Sequence, residues 1–143
     1  MVLDLAEVLP QRAPFRFIDE VVAVSDEEAH CRFRFPTEGA CFSLRMDPAM
    51  TLVEALAQTA AIQIVGQLAA ADGRGRPPAR VEGVLGGIDG LVVHARPAPG
   101  ERVDLRARLR KRLGPVLLFD VAAGRGDEPL CEARLTVRTG GAP

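Results

Sequence analysis

The period of the alternation between apolar and polar residues changes along the chain. From Ala29 to Phe35 every second residue is apolar, which is the period of a strand with one buried face. Asp47 and Pro48 then provide a helix cap and a first helical residue, and an apolar, alanine-rich segment continues to about Ala71. The small side chains of this segment predict one long helix in close contact with a sheet.

The remaining segments carry mostly strand patterns that are separated by turn signals. A short helical turn is predicted over residues 3–8 and a strand over residues 15–24. After a loop at residues 72–80, further strands are predicted over residues 81–88, 91–96, 102–112, 116–123 and 130–138. This order is typical of an α+β domain in which an antiparallel sheet wraps around one central helix. We predict a single domain over residues 1–143, because a chain of this length holds one ordinary core.

Charge and cysteine content limit the partners and the compartment. A formal net charge of -1 gives no support for general binding of nucleic acid. The three cysteines are odd in number and lack metal-ligand spacing, which argues against a disulfide framework and structural zinc. The first residues do not have the pattern of a secretion signal, and no apolar run approaches the length of a membrane span. We therefore expect a cytoplasmic protein without a membrane segment or a bound metal.

Glu54 is the carboxylate of the predicted helix, and it lies in the run TLVEALAQTAAIQI. A carboxylate among small apolar side chains is either a catalytic acid or base, or a group that is buried at a cost. Gln58 follows one helical turn later on the same face, so the two side chains could jointly hold a polar group of a ligand. The alternative is that both only satisfy neighbouring backbone groups within a packed domain.

Five segments, in the right order, match the motifs of one enzyme family. They are Pro10 to Phe15 with Asp19, Val53 to Gln58, Gly87 to Asp89, Arg96 to Val103, and Cys131 to Ala133. Together they resemble the hotdog-fold 3-hydroxyacyl-acyl-carrier-protein dehydratases of fatty acid synthesis, the FabZ-like enzymes. The resemblance implies a two-fold dimer with an acyl tunnel at its interface. It implies no cofactor other than the carrier of the substrate, which is the phosphopantetheine of acyl carrier protein or CoA.

The same resemblance implies a departure at the catalytic site. In the family a Glu and a His from different subunits meet across the interface; the Glu corresponds to Glu54, whereas an ungapped count places Ala40 at the His. Ala49 stands where relatives have a glycine whose N–H faces the thioester carbonyl. The residues expected to bind substrate are Gln58, Ala49, Met50, Ala40, Cys41 and Phe42.

No other residue is an obvious replacement for the missing histidine. A methyl side chain at Ala40 can act neither as the base nor as the acid of a dehydration. His30 alternates with arginines on a polar strand face, and His94 lies near a turn, so structural or surface roles are favoured for both. Cys41 could be a nucleophile, but free cysteines are more often small buried hydrophobes.

Three functions are compatible with this sequence. In the first, which we prefer, the chain is impaired alone and supplies Glu54 to an acyl-carrier-linked dehydratase site that a His-bearing partner completes, in fatty acid or polyketide-type synthesis. The second is a thioesterase that uses Glu54 and the N–H groups near Ala49 to Thr51.

The third function is a non-catalytic acyl-carrier-binding or structural subunit. Its basic strand residues would attract an acidic carrier, although such alternation is usually a solvated face. These residues are Arg106, Arg108, Arg110, Lys111 and Arg112. The expected assembly is a homodimer or a heterodimer with a homologous hotdog subunit, and the first function requires the heterodimer.

Overall fold

One long helix and a six-stranded antiparallel sheet make up most of the part of the chain that the computed structural model describes, residues 3–11, 16–35, 47–71 and 83–139. The strands are ordered β1-β2-β4-β5-β6-β3 in the sheet. The elements are α1 (Leu5–Val8), β1 (Glu20–Val24), β2 (Glu28–Arg34), α2 (Pro48–Ala71), β3 (Gly83–Val93), β4 (Arg102–Leu113), β5 (Val116–Arg125) and β6 (Glu128–Thr139). This is the predicted α+β arrangement of a sheet around one central helix.

Helix α2 is the centre of the core, as its apolar sequence predicted. It begins where the Asp47 side chain accepts a hydrogen bond from the Ala49 N–H at 2.9 Å, with Pro48 as the first helical residue. Sixteen of its 24 residues are buried. The helix is long and apolar enough to cross a membrane, but 78% of its most apolar 18-residue stretch is buried inside the domain. Its apolar surface is therefore used by the sheet.

Strand β2 confirms the alternation read from the sequence. Ala29, Cys31 and Phe33 are buried against α2, whereas His30 and Arg32 lie on the outer face of the sheet. The inner faces of β4, β5 and β6 alternate in the same way and close the core around the helix.

The prediction of two strands over residues 81–88 and 91–96 was wrong, because the structure has the single strand β3 in this region. This strand pairs with β6 along its length. Its register shifts between Leu85 and Gly87 and between Asp89 and Val92, and these irregularities accommodate the glycines without ending the strand. Gly90 adopts a positive φ of 62° within it. The strand predicted over residues 15–24 was also too long, because β1 begins only at Glu20.

Strand β3 forms one edge of the sheet and is unusually apolar on its exposed surface. Its only neighbour in the described sheet is β6. Five of its large hydrophobic side chains are exposed, by 37–67%: Val84, Leu85, Ile88, Leu91 and Val92. An apolar edge with open backbone hydrogen-bonding groups is suited to pairing with another chain.

The close approach of α2 to the turn after β1 predicts a specific stability effect. A Cβ at Gly66 would lie 2.5 Å from Val24 Cγ2 and 2.8 Å from the Ser25 carbonyl oxygen. We expect Gly66→Ala to lower the free energy of unfolding by about 1–2 kcal/mol, because the overpacking exceeds the gain in helix propensity. Gly87→Ala is the control, since its Cβ would meet nothing nearer than 3.9 Å. Equal urea unfolding curves for the two variants would contradict the expectation.

Candidate functional site

Glu54 and Gln58 lie side by side on α2, as their spacing predicted. Glu54 is half-buried and Gln58 is 1% exposed. The Gln58 Nε2 donates a hydrogen bond to Glu54 Oε1 at 3.2 Å, while its Oε1 accepts one from the Phe17 N–H at 2.8 Å. The Phe17 N–H can only donate, so it fixes the carbonyl end of the Gln58 amide and turns the NH₂ group toward Glu54. Gln58 thus both satisfies a buried backbone group and orients the carboxylate.

A cavity of about 130 Å³ opens beside Glu54. Its polar lining is Gln11, Glu54 and Gln58, and its remaining lining is Pro10, Ala57, Ala61, Ile64, Gly83, Leu85 and Val137. Ligand pockets usually exceed about 300 Å³, and the volume here is that of about four water molecules. The described part of one chain therefore provides only a fraction of a binding site for an acyl thioester.

Gln11 was not among the predicted site residues. In the resemblance to the FabZ-like enzymes, Gln11 stands where their opening motif has a histidine, and this substitution is the only signal in the sequence that points to it. The structure brings it to Glu54 across the cavity, although the two residues are far apart in the chain.

The predicted residues at the start of α2 do not line this cavity. Ala49 is buried and Met50 is 49% exposed. Their N–H groups are both hydrogen-bonded to Asp47, from Ala49 to Oδ1 at 2.9 Å and from Met50 to the backbone oxygen at 2.8 Å. The other three predicted residues, Ala40, Cys41 and Phe42, lie outside the described residues, and their roles stay predictions.

Asp47 is also held by Arg96, which follows β3. Arg96 Nε lies 2.8 Å from Asp47 Oδ1, and Arg96 Nη2 lies 2.9 Å from Oδ2. These hydrogen bonds, together with the one from the Ala49 N–H, lower the pKa of Asp47 to about 2. The carboxylate is therefore charged at neutral pH. The sequence identified Asp47 as a cap, but it gave no sign of a partner 49 residues away.

Both histidines of the chain make contacts outside the cavity of Glu54. His30 Nε2 lies 2.8 Å from Asp104 Oδ1 on the outer face of the sheet. His94 Nε2 lies 3.5 Å from Glu132 Oε1. Neither histidine lines the cavity, which agrees with the structural or surface roles expected for them.

The two described cysteines have the features of core residues. Burial raises the pKa of Cys31 to about 12 and that of Cys131 to about 11. Both thiols are therefore protonated at neutral pH and poorly suited to be nucleophiles. Among the described residues, no group of His, Cys, Asp and Glu side chains is arranged to hold a metal ion.

The basic strand face of β4 is neutralised in part by neighbouring carboxylates. Arg106 Nη1 lies 3.1 Å from Glu28, and Arg110 Nη1 lies 3.2 Å from Asp120. These partners come from the adjacent strands β2 and β5. The outer face therefore presents both signs of charge, as is usual for the solvated face of a sheet.

Comparisons with known proteins identify relatives over almost the whole chain. A family model described as ApeP-like, ApeP dehydratase, matches residues 3–140. The 3-hydroxyacyl-acyl-carrier-protein dehydratase FabZ of Polynucleobacter necessarius is 30% identical over 146 residues, which cover 96% of this chain and 93% of the relative.

Two of the solved structures with this fold illustrate its range. The dehydratase heterocomplex ApeI:P from Xenorhabdus doucetiae matches with a TM-score of 0.79 at 19% identity, covering 99% of this chain and 93% of the other. A hypothetical thioesterase with coenzyme A from Streptococcus pneumoniae matches with a TM-score of 0.60 at 10% identity, covering 85% of both chains. These likenesses confirm the predicted hotdog fold.

The double role of Gln58 predicts a loss of stability when its amide is removed. We expect Gln58→Met to lower the free energy of unfolding by about 1–3 kcal/mol, because the buried Phe17 N–H loses its acceptor. Leu68→Met introduces the same side chain at an exposed position of α2 and should change it by less than about 0.5 kcal/mol. Urea unfolding at neutral pH measures both, and equal losses would contradict this role.

The contact between Asp47 and Arg96 predicts a pH dependence at acid pH. Because the pKa of Asp47 is lowered from 3.8 to about 2, its contribution to stability is present above pH 3.8 and is lost as the pH falls through about 2. Asp47→Asn keeps a capping side chain without this titration. Its unfolding free energy should therefore fall less steeply over this range than that of wild type. Asp127→Asn, in the β5–β6 turn, controls for the general loss of one negative charge, and identical slopes for all three proteins would contradict the prediction.

Proposed function

The chain belongs to the ApeP-like dehydratase family, and from this we propose that it is one subunit of a two-chain dehydratase that acts on acyl-carrier-linked 3-hydroxyacyl thioesters. In this proposal Glu54 serves a site that a histidine of a second hotdog chain completes. The observation that carries the proposal is the position of Glu54, which lines a cavity to which neither histidine of this chain contributes.

The chemistry requires two groups that exchange protons with the substrate. Dehydration breaks the C–H bond at the α-carbon and the C–O bond at the β-carbon, so that a C=C bond forms and water leaves. A base takes the α-proton and an acid protonates the departing hydroxyl. Glu54 fills one of these roles, since Gln58 occupies only its Oε1 and no described hydrogen bond involves its Oε2. The imidazole of the partner fills the other role.

The position of β3 explains how a partner would reach Glu54. Gly83 and Leu85 line the cavity, and both belong to this edge strand. A second chain that pairs along the exposed edge would therefore place its own residues beside the cavity and enlarge it. The apolar side chains exposed on β3 would be buried by the same contact. A homodimer built in this way would bring together two copies of Glu54 without a histidine at either site.

The names of the relatives support both the substrate and the assembly. The FabZ relative is a 3-hydroxyacyl-acyl-carrier-protein dehydratase, which supports a carrier-linked hydroxyacyl group as the substrate. The ApeI:P structure is a dehydratase heterocomplex, and this assembly supports pairing with a different hotdog chain. The substrate would be carried on phosphopantetheine, and fatty acid or polyketide-type synthesis would supply it.

The test compares the chain alone with its complex with a histidine-bearing hotdog subunit. Absorbance of the enoyl thioester reports dehydration. We expect activity in the complex and none in the isolated chain, and Glu54→Gln in the complex should reduce kcat by about 10²- to 10⁴-fold. Glu27→Gln removes an exposed carboxylate in the β1–β2 turn and should leave the rate unchanged.

Two results would contradict the proposal. Full activity of the complex with Glu54→Gln would exclude a catalytic role for this carboxylate. Release of free acid from the thioester, without formation of the enoyl product, would instead support a thioesterase that uses Glu54.

A further inference from the structure

The first three residues of α2 have no backbone N–H group that is free to bind a ligand. The first N–H groups of a helix lack partners within the helix and are the usual binding point for an anion or a developing oxyanion. In this chain Pro48 has no N–H, the Ala49 N–H donates to Asp47 Oδ1, and the Met50 N–H donates to the Asp47 backbone oxygen. The positions at which a thioester carbonyl would be held are therefore occupied by Asp47.

The charge of Asp47 opposes the same ligand. A thioester carbonyl gains negative charge when the α-proton is removed, and a neighbouring carboxylate would raise the energy of that state. Asp47 is charged at neutral pH, and the paired Arg96 guanidinium offsets only part of this repulsion. Occupied amides and an adjacent carboxylate thus act in the same direction.

The backbone holds Arg96 in position for this contact. The segment that follows β3 is fixed to β6, because the His94 and Ala95 N–H groups both donate to the Leu130 carbonyl, at 2.8 and 3.2 Å. Arg96 is the next residue, and it approaches Asp47 through two separate N–H groups. A bidentate contact from an anchored segment restricts both the direction and the rotation of the Asp47 carboxylate.

We propose that Asp47, held by Arg96, closes the amino end of α2 to a substrate carbonyl, so that this chain supplies the carboxylate half of a shared site and not the carbonyl-binding half. This inference rests on the proposed function. A heterodimer has two interface sites related by a two-fold axis, and on this inference only one of them would be active. That site would be built from Glu54 of this chain and from the histidine and helix amides of the partner.

The experiment restores the missing histidine and then opens the helix end. Ala40→His is made in the chain alone, and Asp47→Gly or Asp47→Asn is added to it. Glycine is tolerated at a helix cap at a cost of a few tenths of a kcal/mol but leaves the Ala49 N–H free, whereas asparagine keeps that N–H occupied. We expect little dehydration from Ala40→His, a gain of about 10- to 100-fold on adding Asp47→Gly, and a clearly smaller gain on adding Asp47→Asn, which removes the charge but keeps the Ala49 N–H occupied.

A second measurement follows the Ala49 amide directly. Hydrogen exchange monitored by NMR should be faster in Asp47→Gly than in wild type, and unchanged in Asp47→Asn. Circular dichroism reports whether each variant keeps α2, so that a loss of fold is not mistaken for a closed site. Unchanged exchange in Asp47→Gly would overturn the inference.

The activity results separate this inference from the proposed function. Equal rates for Ala40→His with and without Asp47→Gly would overturn the closure by Asp47, whether both rates are high or both are zero. The role of Glu54 is measured in the complex with an unaltered Asp47, so it stands or falls independently. Loss of that role would leave the exchange result at Ala49 unaffected.

Discussion

The burial of a 24-residue helix inside a single sheet is the constraint on which the rest of the structure depends. A buried polar side chain costs free energy unless it finds a partner, and two glutamines of α2 find theirs in the backbone that surrounds the helix. Gln58 meets the Phe17 N–H, and Gln63 donates to the Ser25 carbonyl at 3.1 Å. These two hydrogen bonds attach the chain to α2 on either side of β1, one before the strand and one directly after it. Glu54 has its orientation from this same network, because the amide that holds it is fixed by a backbone group.

The sequence predicted those parts of the fold that depend on periodicity and missed those that depend on distant pairs. The outward and inward faces of β2 and the bounds of α2 follow from local spacing and composition, and both were confirmed. The division of β3 into two strands was wrong, since glycines that usually end a strand are accommodated here by bulges.

At the candidate site, sequence spacing found Glu54 and Gln58 but not what surrounds them. The side chain of Gln58 contacts Phe17 across 41 positions of the chain, and Arg96 contacts Asp47 across 49. No periodicity encodes such pairs, because they arise only when the sheet closes around the helix. Gln11 reaches the cavity for the same reason.

When an active site is shared between two chains, the set of catalytic and binding groups that each chain has to provide depends on its partner. In a homodimer every copy must carry both the carboxylate and the carbonyl-binding helix end, so the helix cannot begin with an acidic cap that competes for its amides. A chain that always pairs with a different partner is released from one half of this requirement. An aspartate cap stabilises a helix by about 1 kcal/mol relative to alanine, and its contact with Arg96 joins α2 to the end of β3. In the proposed assembly, the amino end of α2 would serve stability, and the catalytic chemistry would be confined to the face that carries Glu54.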